Sequence, residues 1–525
     1  LNKIIISKDG KLIGLSSAYE QARHIIGDLK SLGFIWSKKR KLWIGSILNY
    51  HELASLLKEE EINFVTDVNI SQFYAKYENE YMDIQEQIKS NTQGMYKHQI
   101  EDAAKLVLHR EWGLFNDMGT GKTRTTIEAM KIINPSGKIL IICPLPVKKV
   151  WLNELQKWGN GLNKNIVVFT KDGIVGDITI VNYEMFVRHA DRIVSDDIEY
   201  LVLDEAHRAK NRKTKTFQII ASLSNVAEYK ALLTGTPIGN NAEEIFNVLS
   251  VMRISPFGYY SAFINKFCTV DWFGKIRGSR NTEELNRRVA KCSSRRTKKD
   301  CLDLPDKVYS NVNITLSTKE EELYNSIMYE ARQLLGIVDD DKIRHASLLT
   351  QIIRLSQAIN CPWDITSGKI NNCTKLTYTI DFVQDFIDNR NKLIVWSTFV
   401  SPLKRLHKMF ASNSVLFIGE TSKKIDVESE MKKDENIILF ANPQCAGFGL
   451  NLQFISNMVY YCNDYSFIRR KQSEDRCHRI GTKGLTITDL IGVLPSGEES
   501  IDERIVDVLN SKEKLSTEVL ERMIS

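Results

Sequence analysis

The sequence predicts an α/β protein. Two lobes, each built on a parallel sheet, are separated by a mainly helical stretch, and a small α+β domain stands in front. Two observations carry this. Near-continuous apolar strands alternate with helical segments from about residue 93, and the same rhythm starts again near 392. A strand that is apolar along its whole length is buried on both faces, as in a parallel sheet covered by helices. Between the two series, residues 256–375 lose the rhythm and read as mainly helical.

In chain order, residues 1–70 alternate short strands with helical patterns. Gly33–Trp36 and Lys41–Gly45 flank Ser37-Lys38-Lys39-Arg40, which predicts a β-hairpin with a basic tip. Asn49 to Leu57 reads as a short amphipathic helix. Residues 71–92 are polar and rich in Glu, Gln and Asn and read as a helical linker. The first lobe offers strands at Gly113–Phe115, Lys138–Cys143, Asn165–Phe169, Ile178–Val181, Tyr200–Leu203 and Lys230–Leu233. The second offers Lys392–Trp396, Ser414–Ile418, Asn436–Phe440 and Met458–Tyr461. The expected boundaries are 1–75 for the small domain, 76–92 for the linker and 93–255 for the first lobe. The helical insertion takes 256–375, the second lobe 376–498 and a C-terminal helical brace 499–525.

The chain of 525 residues is 43% hydrophobic and 26% charged, the composition of an ordinary globular protein, with a net charge of +6 that permits a polyanionic partner. Nine cysteines form no CxxC pair, which points to reduced thiols and away from a zinc site. No apolar run approaches the roughly 18–20 residues of a membrane helix, so no membrane partner is expected. The first ten residues do not read as a signal peptide, and Leu1 in place of Met suggests a trimmed or incomplete N-terminus.

The chemistry is concentrated in two motifs. Asn116-Asp117-Met118-Gly119-Thr120-Gly121-Lys122-Thr123 follows a strand and precedes a helix beginning at Arg124. Glycines let backbone N–H groups close around phosphates, and the helix N-terminus adds partial positive charge. Lys122 is placed to pair with the β- and γ-phosphates, and Thr123 to ligate Mg²⁺. Leu203-Asp204-Glu205-Ala206-His207 ends a second apolar strand. There Asp204 can hold Mg²⁺, and Glu205 can polarise the water that attacks the γ-phosphate. Either motif alone has a plainer explanation: a glycine-rich turn, or a solvated acidic pair at a helix start. Their occurrence together favours an ATP site.

The order of further blocks resembles superfamily-two helicases, specifically the Swi/Snf branch of double-stranded DNA translocases. The blocks are Met95-Tyr96-Lys97-His98-Gln99, Pro144-Leu145-Pro146-Val147 with Trp151 and Trp158, Val181-Asn182-Tyr183-Glu184 and Leu233-Thr234-Gly235-Thr236-Pro237-Ile238. Arg295-Arg296-Thr297-Lys298-Lys299-Asp300 with Leu304-Pro305-Asp306-Lys307 is the most branch-specific, and Leu355–Pro362 follows it. Ala446–Leu452 and Gln472–Gly481 complete the set, so the resemblance covers about 93–515. Three features depart from the family: Thr482 stands where Gln is usual, Tyr465-Ser466-Phe467 replaces Trp-Asn-Pro, and residues 415–440 are shorter.

The resemblance implies RecA-like lobes and a nucleotide cradle of Met118 to Arg124, with Gln99 reading the adenine and Gly449 contributing from the second lobe. Gln472, Arg476 and Arg479 are implied as catalytic. The two arginines serve as fingers on the γ-phosphate, and their spacing of three predicts one shared helix face. Thr234 and Thr236 would couple lobe closure to the DNA groove. Pro144, Asn182, Tyr183, Thr234 and Asn451 would lie along the DNA backbone. Lys291 to Lys299 holds five basic residues and no acidic one, so Arg295, Arg296, Lys298 and Lys299 read as phosphate contacts, or else as a solvated basic loop. The Trp36…Trp43 hairpin, with Lys38, Lys39, Arg40 and Lys41 at its tip and Tyr50-His51-Glu52-Leu53 after it, resembles the HARP module of annealing helicases. The tryptophans read as core packing and the tip as a DNA contact.

The expected function is a DNA-dependent ATPase, using ATP and Mg²⁺, that moves on duplex or branched DNA without sequence preference. Its expected work is remodelling forks or recombination intermediates by branch migration or annealing, as in DNA repair. An RNA-dependent helicase and a translocase that displaces DNA-bound proteins are the alternatives. A monomer is expected. Abundant Lys, Ile and Asn suggest an AT-rich bacterial or phage genome and a cytoplasmic location, or a nuclear one in a eukaryote.

Overall fold

The computed structural model describes residues 2–7, 12–16, 24–66, 70–235, 242–252, 257–272, 274, 276–335, 341–421, 425–435, 437–446 and 450–511. The chain divides into two compact units, 1–301 and 302–525.

The first unit opens with the small domain. Strands β1 (Asn2–Ile6), β2 (Leu12–Ser16), β3 (Ile35–Ser37), β4 (Leu42–Ser46) and β5 (Phe64–Thr66) form a sheet in the order β3-β4-β2-β1-β5. The helix Tyr50–Glu59 buries Leu53 and Leu57, one turn apart, beside Ile4, Ile13, Leu15, Phe34 and Trp43. Trp36 and Trp43 face each other across β3 and β4 with ring centroids 5.6 Å apart. Lys38, Lys39, Arg40 and Lys41 form the exposed tip. Lys41 closes it with its N–H on the Ser37 carbonyl at 2.8 Å and a φ of 52°.

Residues 76–92 are not a free linker. Residues 76–91 lie within one helix, Ile70–Asn91, that packs on the helix Lys97–His109. Ile88 is fully buried between them, and the Tyr77 hydroxyl bonds His109 Nε2 at 2.6 Å. The polar composition reflects the outer face; the buried stripe is a few residues wide.

The main sheet of this unit has strands β6 (Glu111–Leu114), β7 (Lys138–Cys143), β8 (Ile166–Val168), β9 (Ile178–Asn182), β10 (Ile198–Asp204) and β11 (Tyr229–Leu233). A hairpin of β12 (Cys268–Val270) and β13 (Ile276–Ser279) stands apart, and β14 (Ser293–Ser294) returns to the sheet. The order is β14-β6-β11-β10-β7-β9-β8, with every pair parallel. Successive residues of a strand point to opposite faces. Leu140, Ile142, Leu201 and Leu203 therefore enter one core, while Ile139, Ile141 and Val202 enter the other. Register sets Leu114, Leu233 and Asp204 in one row, so the segments leaving β6, β11 and β10 emerge side by side.

The second unit carries β15 (Lys307–Thr315), β16 (Leu393–Ser397), β17 (Ser414–Phe417), β18 (Ile438–Ala441), β19 (Asn457–Cys462) and β20 (Leu485–Val493). Their order is β15-β20-β19-β16-β18-β17, again all parallel. The helices Thr318–Leu335 and Asp341–Asn360 pack a further core with the helix Ile501–Ser511. Inside this unit the fully buried Lys375 bonds Asn360 Oδ1 at 2.8 Å and pairs with Asp502. A buried cation is tolerated only with such partners. The stretch expected as one helical insertion, 256–375, is thus divided: β14 belongs to the first unit's sheet and β15 to the second's. Of the expected brace, the described part is the helix Ile501–Ser511; residues 512–525 lie outside the described residues. Among the described residues no helix is long and apolar enough to cross a membrane, and no His, Cys, Asp and Glu group could hold a metal ion by clustering.

Candidate active site

The segment after β6 wraps into the phosphate loop, and the helix Lys122–Ile133 starts at its end. Gly119 and Gly121 take φ of 80° and 85°, the left-handed region that favours glycine. Gly121 has a second constraint: a Cβ there would stand 2.0 Å from Gln99 Nε2. That amide donates to the Thr120 carbonyl at 3.1 Å, and its oxygen accepts from Tyr96 N at 3.0 Å. His98 Nε2 meets the same Thr120 carbonyl at 2.9 Å. Gln99 is therefore engaged with the loop and its own helix start. Asn116, at the position of a usual glycine, donates to Asp102 Oδ2 at 2.7 Å, tying loop to helix.

Lys122 Nζ donates to the carbonyls of Asn116 at 2.7 Å and Asp117 at 3.0 Å. Burial pulls its pKa below the ordinary lysine value, opposed by the carboxylates of Glu205, Asp204 and Asp117. Met118 and Thr123 are half-buried beside it. Arg124 is turned elsewhere: its guanidinium donates to the carbonyls of Gly94 and Gln93 and lies 3.8 Å over the Trp158 ring. It braces the helix.

Asp204 closes β10. Its Oδ2 accepts from Trp151 Nε1 at 2.8 Å and its Oδ1 from Glu205 N at 3.0 Å. Burial first, and the neighbouring Glu205 second, push its pKa up to about 6. Glu205 has a φ of 55°, a strained conformation for a residue with a side chain. Its Oε2 lies 3.5 Å from Thr234 Oγ1 and 3.3 Å from His207 Nδ1, and His207 Nδ1 lies 3.1 Å from Thr234 Oγ1. This triangle joins the end of β10 to the end of β11. Tyr183 adds a hydroxyl donated to the Asp204 carbonyl at 2.9 Å. An adjacent acidic pair, one carboxyl resisting ionisation, beside a lysine and a glycine-rich cradle fits a phosphate chain with a divalent cation. Thr123 and Asp204 are the oxygen ligands that would hold Mg²⁺.

Several side chains expected at DNA have protein partners or are buried here, and for the buried ones the expectation is corrected. Arg295 Nη1 donates to the carbonyls of Phe115 at 2.5 Å and Gly235 at 2.9 Å, and its Nη2 lies 3.5 Å from Asp117 Oδ1. Arg296 pairs with Glu101 at 2.6 Å and with Asp102 at 3.4 Å. Lys298 is buried, with its N–H on Asp117 Oδ2 at 3.3 Å. The backbone N–H groups of Gly113, Phe115 and Asp117 donate to the carbonyls of Cys292, Ser294 and Arg296. The basic run is thus the outer wall of the phosphate loop; Lys299 alone of the expected four is exposed without such a bond described for its side chain. Likewise Tyr183 and Thr234 are buried against the acidic pair, Asn182 is buried with its amide on Glu184 Oε2 at 2.7 Å, and Pro144 is buried. Burial keeps these side chains from a phosphate backbone.

In the second unit, Gln472 ends the helix Phe467–Glu474 on its buried side. The helix stops before Arg476 and Arg479, so they occupy the turns that follow and share no helix face. The Arg476 carbonyl accepts from Leu452 N at 3.0 Å. Arg479 donates to the Asp475 carbonyl at 2.9 Å and to Asn451 Oδ1 at 3.4 Å; burial lowers its pKa, opposed by Asp475. Gly449 and Thr236 lie outside the described residues. The departures have local reasons. Ser466 caps the helix by accepting from Arg469 N at 3.4 Å, Arg470 pairs bidentately with Asp489 at 2.6 and 2.9 Å, and Thr482 donates to the Gly484 carbonyl at 3.2 Å.

Sequence reasoning missed Trp151 and His207 as partners of the acidic pair. It also missed Asp102 and Asp117 as the acidic partners of the Arg296 and Arg295 wall. His207 was available as the third residue after Asp204; the others come from distant segments.

Fold and site together define a P-loop protein with two parallel-sheet lobes. The chain belongs to the SNF2-related family: the model of the SNF2-related domain matches residues 95–363, just over half its length. Protein CHROMATIN REMODELING 4 of Arabidopsis thaliana is 25% identical over 477 residues, which cover 80% of this chain and 21% of that protein. DNA annealing helicase and endonuclease ZRANB3 of Bos taurus is 24% identical over 391 residues, covering 70% and 35%. The Sulfolobus solfataricus SWI2/SNF2 ATPase core in complex with dsDNA is 26% identical with a TM-score of 0.38, covering 80% of this chain and 91% of that one. The chain spans 21% and 35% of the lengths of these two curated relatives.

Proposed function

We propose that the protein is an ATP-driven motor that moves on duplex or branched DNA and remodels replication forks or recombination intermediates. The observation that carries this is the Glu205–His207–Thr234 triangle. It ties the carboxylate that would act on the attacking water to the segment leaving β11. A site that only hydrolysed ATP would not need that tie; a motor does, because movement must report on chemistry.

Lys122 orients the phosphate chain and exchanges its two carbonyl partners for phosphate oxygens. Glu205 orients the water and takes its proton as the bond to the γ-phosphorus forms and the bond from that phosphorus to the bridging β-phosphate oxygen breaks, leaving ADP and inorganic phosphate. Mg²⁺, when bound, neutralises charge on the phosphates. Arg476 and Arg479 are assigned the finger role that the resemblance implies, worth roughly 10³–10⁵ in rate. The exposed Lys38, Lys39, Arg40, Lys41 and Lys299 are assigned to DNA phosphates, so binding is independent of sequence and weakens steeply with salt. A monomer in the cytoplasm of a bacterium or infected cell, or in a nucleus, suits this work.

ATP hydrolysis measured with duplex, fork, single-stranded DNA and RNA tests the reading. Stimulation strongest with fork or duplex DNA is expected; strongest stimulation by RNA sinks it in favour of an RNA-dependent helicase. Lys122→Ala and Glu205→Gln should each abolish turnover while DNA affinity stays within a few-fold.

A further inference from the structure

Trp272 is 98% exposed, whereas the other large apolar side chains on the described surface reach 67% at most. Its position is built. The base of the β12–β13 hairpin is anchored by the buried Phe267 and Cys268, by Arg280 N on the Phe267 carbonyl at 2.9 Å, and by Ser279 Oγ accepting from Ala242 N at 2.8 Å. At the far end, Gly274 N donates to the Asp271 carbonyl at 3.0 Å, which closes a tight turn, and Gly274 has a φ of 78°. Arg277 Nε donates to Asp271 Oδ2 at 2.8 Å and staples the turn from the opposite strand. Trp272 is the residue after Asp271, so the turn carries its indole outward. Val270, 44% exposed, leads up to it.

A braced turn that holds an indole entirely in water gives up the burial an indole usually contributes. An aromatic platform presented this way suits a flat apolar partner. The charge of the hairpin selects among such partners: its sequence carries Lys275, Arg277 and Arg280 against one carboxylate, Asp271, which pairs with Arg277 and leaves a basic excess. Apolar faces edged by phosphates are those of nucleic-acid bases, and a duplex offers them only where it ends or opens.

We propose that the β12–β13 hairpin is a base-stacking wedge, with Trp272 stacking on the first unpaired base at a branch point. This rests on the DNA reading above and adds to it the element that engages opened strands. The hairpin continues directly from the helix Tyr260–Phe267, and the preceding residue Tyr259 receives the Trp36 N–H of the small domain at 3.3 Å. One segment therefore carries both the hairpin and the mounting of the basic tip.

The test uses the full chain and forked DNA with 2-aminopurine at the first unpaired position, beside blunt duplex of the same length. Wild-type protein should change the 2-aminopurine fluorescence on binding the fork. Trp272→Ala should abolish that change and weaken the preference for fork over blunt duplex by roughly 5- to 150-fold, the range one lost base–aromatic stack costs. Trp272→Phe should restore part of both, and duplex-stimulated ATPase should stay at the wild-type level in both variants. The wedge is overturned if Trp272→Ala keeps the fluorescence change and the fork preference. It is equally overturned if sedimentation shows a self-association that only Trp272 supports, which would make the tip a protein contact. Failure of wild-type duplex DNA to stimulate ATPase would instead remove the DNA reading itself.

Discussion

Arg295 shows how one side chain can belong to a different job from the one its neighbours suggest. With its four basic neighbours by sequence it reads as a phosphate-binding run, yet its guanidinium is held by Phe115 O, Gly235 O and Asp117. It joins the entry of the phosphate loop to the segment after β11. Removing it leaves two carbonyls short of a donor in a partly buried place, worth about 1–3 kcal/mol. Arg295→Met should therefore raise the KM for ATP by about tenfold or more. The slope of DNA affinity against salt should not change, because no phosphate contact is lost. Arg295→Lys should recover little, since an ammonium lacks the planar fork that spans two carbonyls. A salt slope smaller by about one with KM unchanged would return Arg295 to the DNA surface.

At the scale of elements, strands built on unbroken apolar runs were legible even at sheet edges, as β8 and β17 show, and β15 and β20, interrupted by polar residues, were not. Ile139–Cys143 is an unbroken apolar run, and with Lys138 it forms β7 to the residue. β15 is mostly exposed along Lys307–Thr315 and alternates polar with apolar residues, so nothing in its composition announces that it pairs with all of β20. β20 itself carries Thr486, Thr488 and Asp489, the last used by Arg470. β14 is two residues long and is fixed by pairing with β6, a partner some 180 residues away in sequence. Of the site, the glycines, Lys122 and the acidic pair were legible because their chemistry is local. The arginine wall and the Trp151 bond were not, because their partners come from distant segments. The mounting of the small domain has the same character. Gly258 faces Gly33 so closely that a Cβ would stand 2.8 Å from its backbone, and Lys291 pairs with Glu52 next to β14. Gly258→Val should force the domain off its seat, at a cost of about 1–3 kcal/mol in that contact. Limited proteolysis between the small domain and the helix Lys97–His109 should then speed up, and stimulation by forks should fall while basal ATPase persists. Unchanged proteolysis and fork stimulation would show that the docking is dispensable.

Over the whole molecule, the roles proposed above fall to residues in two compact units. Lys122, Asp204 and Glu205 are folded into 1–301, and Arg476 and Arg479, to which the finger role is assigned, into 302–525. Each set is organised by its own unit's hydrogen bonds, so binding and turnover should be separable by substitution. Arg479→Ala in the full chain should leave ATP affinity within a few-fold, because the phosphate loop and its braces are untouched. It should lower kcat by roughly 10³-fold or more, the contribution of a finger that acts on charge developing in the transition state. Asn451 gives a graded companion. It receives one Arg479 donor at 3.4 Å, so Asn451→Ala loosens the guanidinium without removing it. A loss of kcat nearer tenfold, with KM steady, is expected from a misplaced rather than a missing group. Measured together by single-turnover hydrolysis and by nucleotide binding, the pair distinguishes a positioned finger from a structural arginine. A structural role would lower stability and ATP affinity together. If Arg479→Ala keeps kcat within a few-fold, the second unit does not supply the catalytic charge, and hydrolysis must be completed within the first.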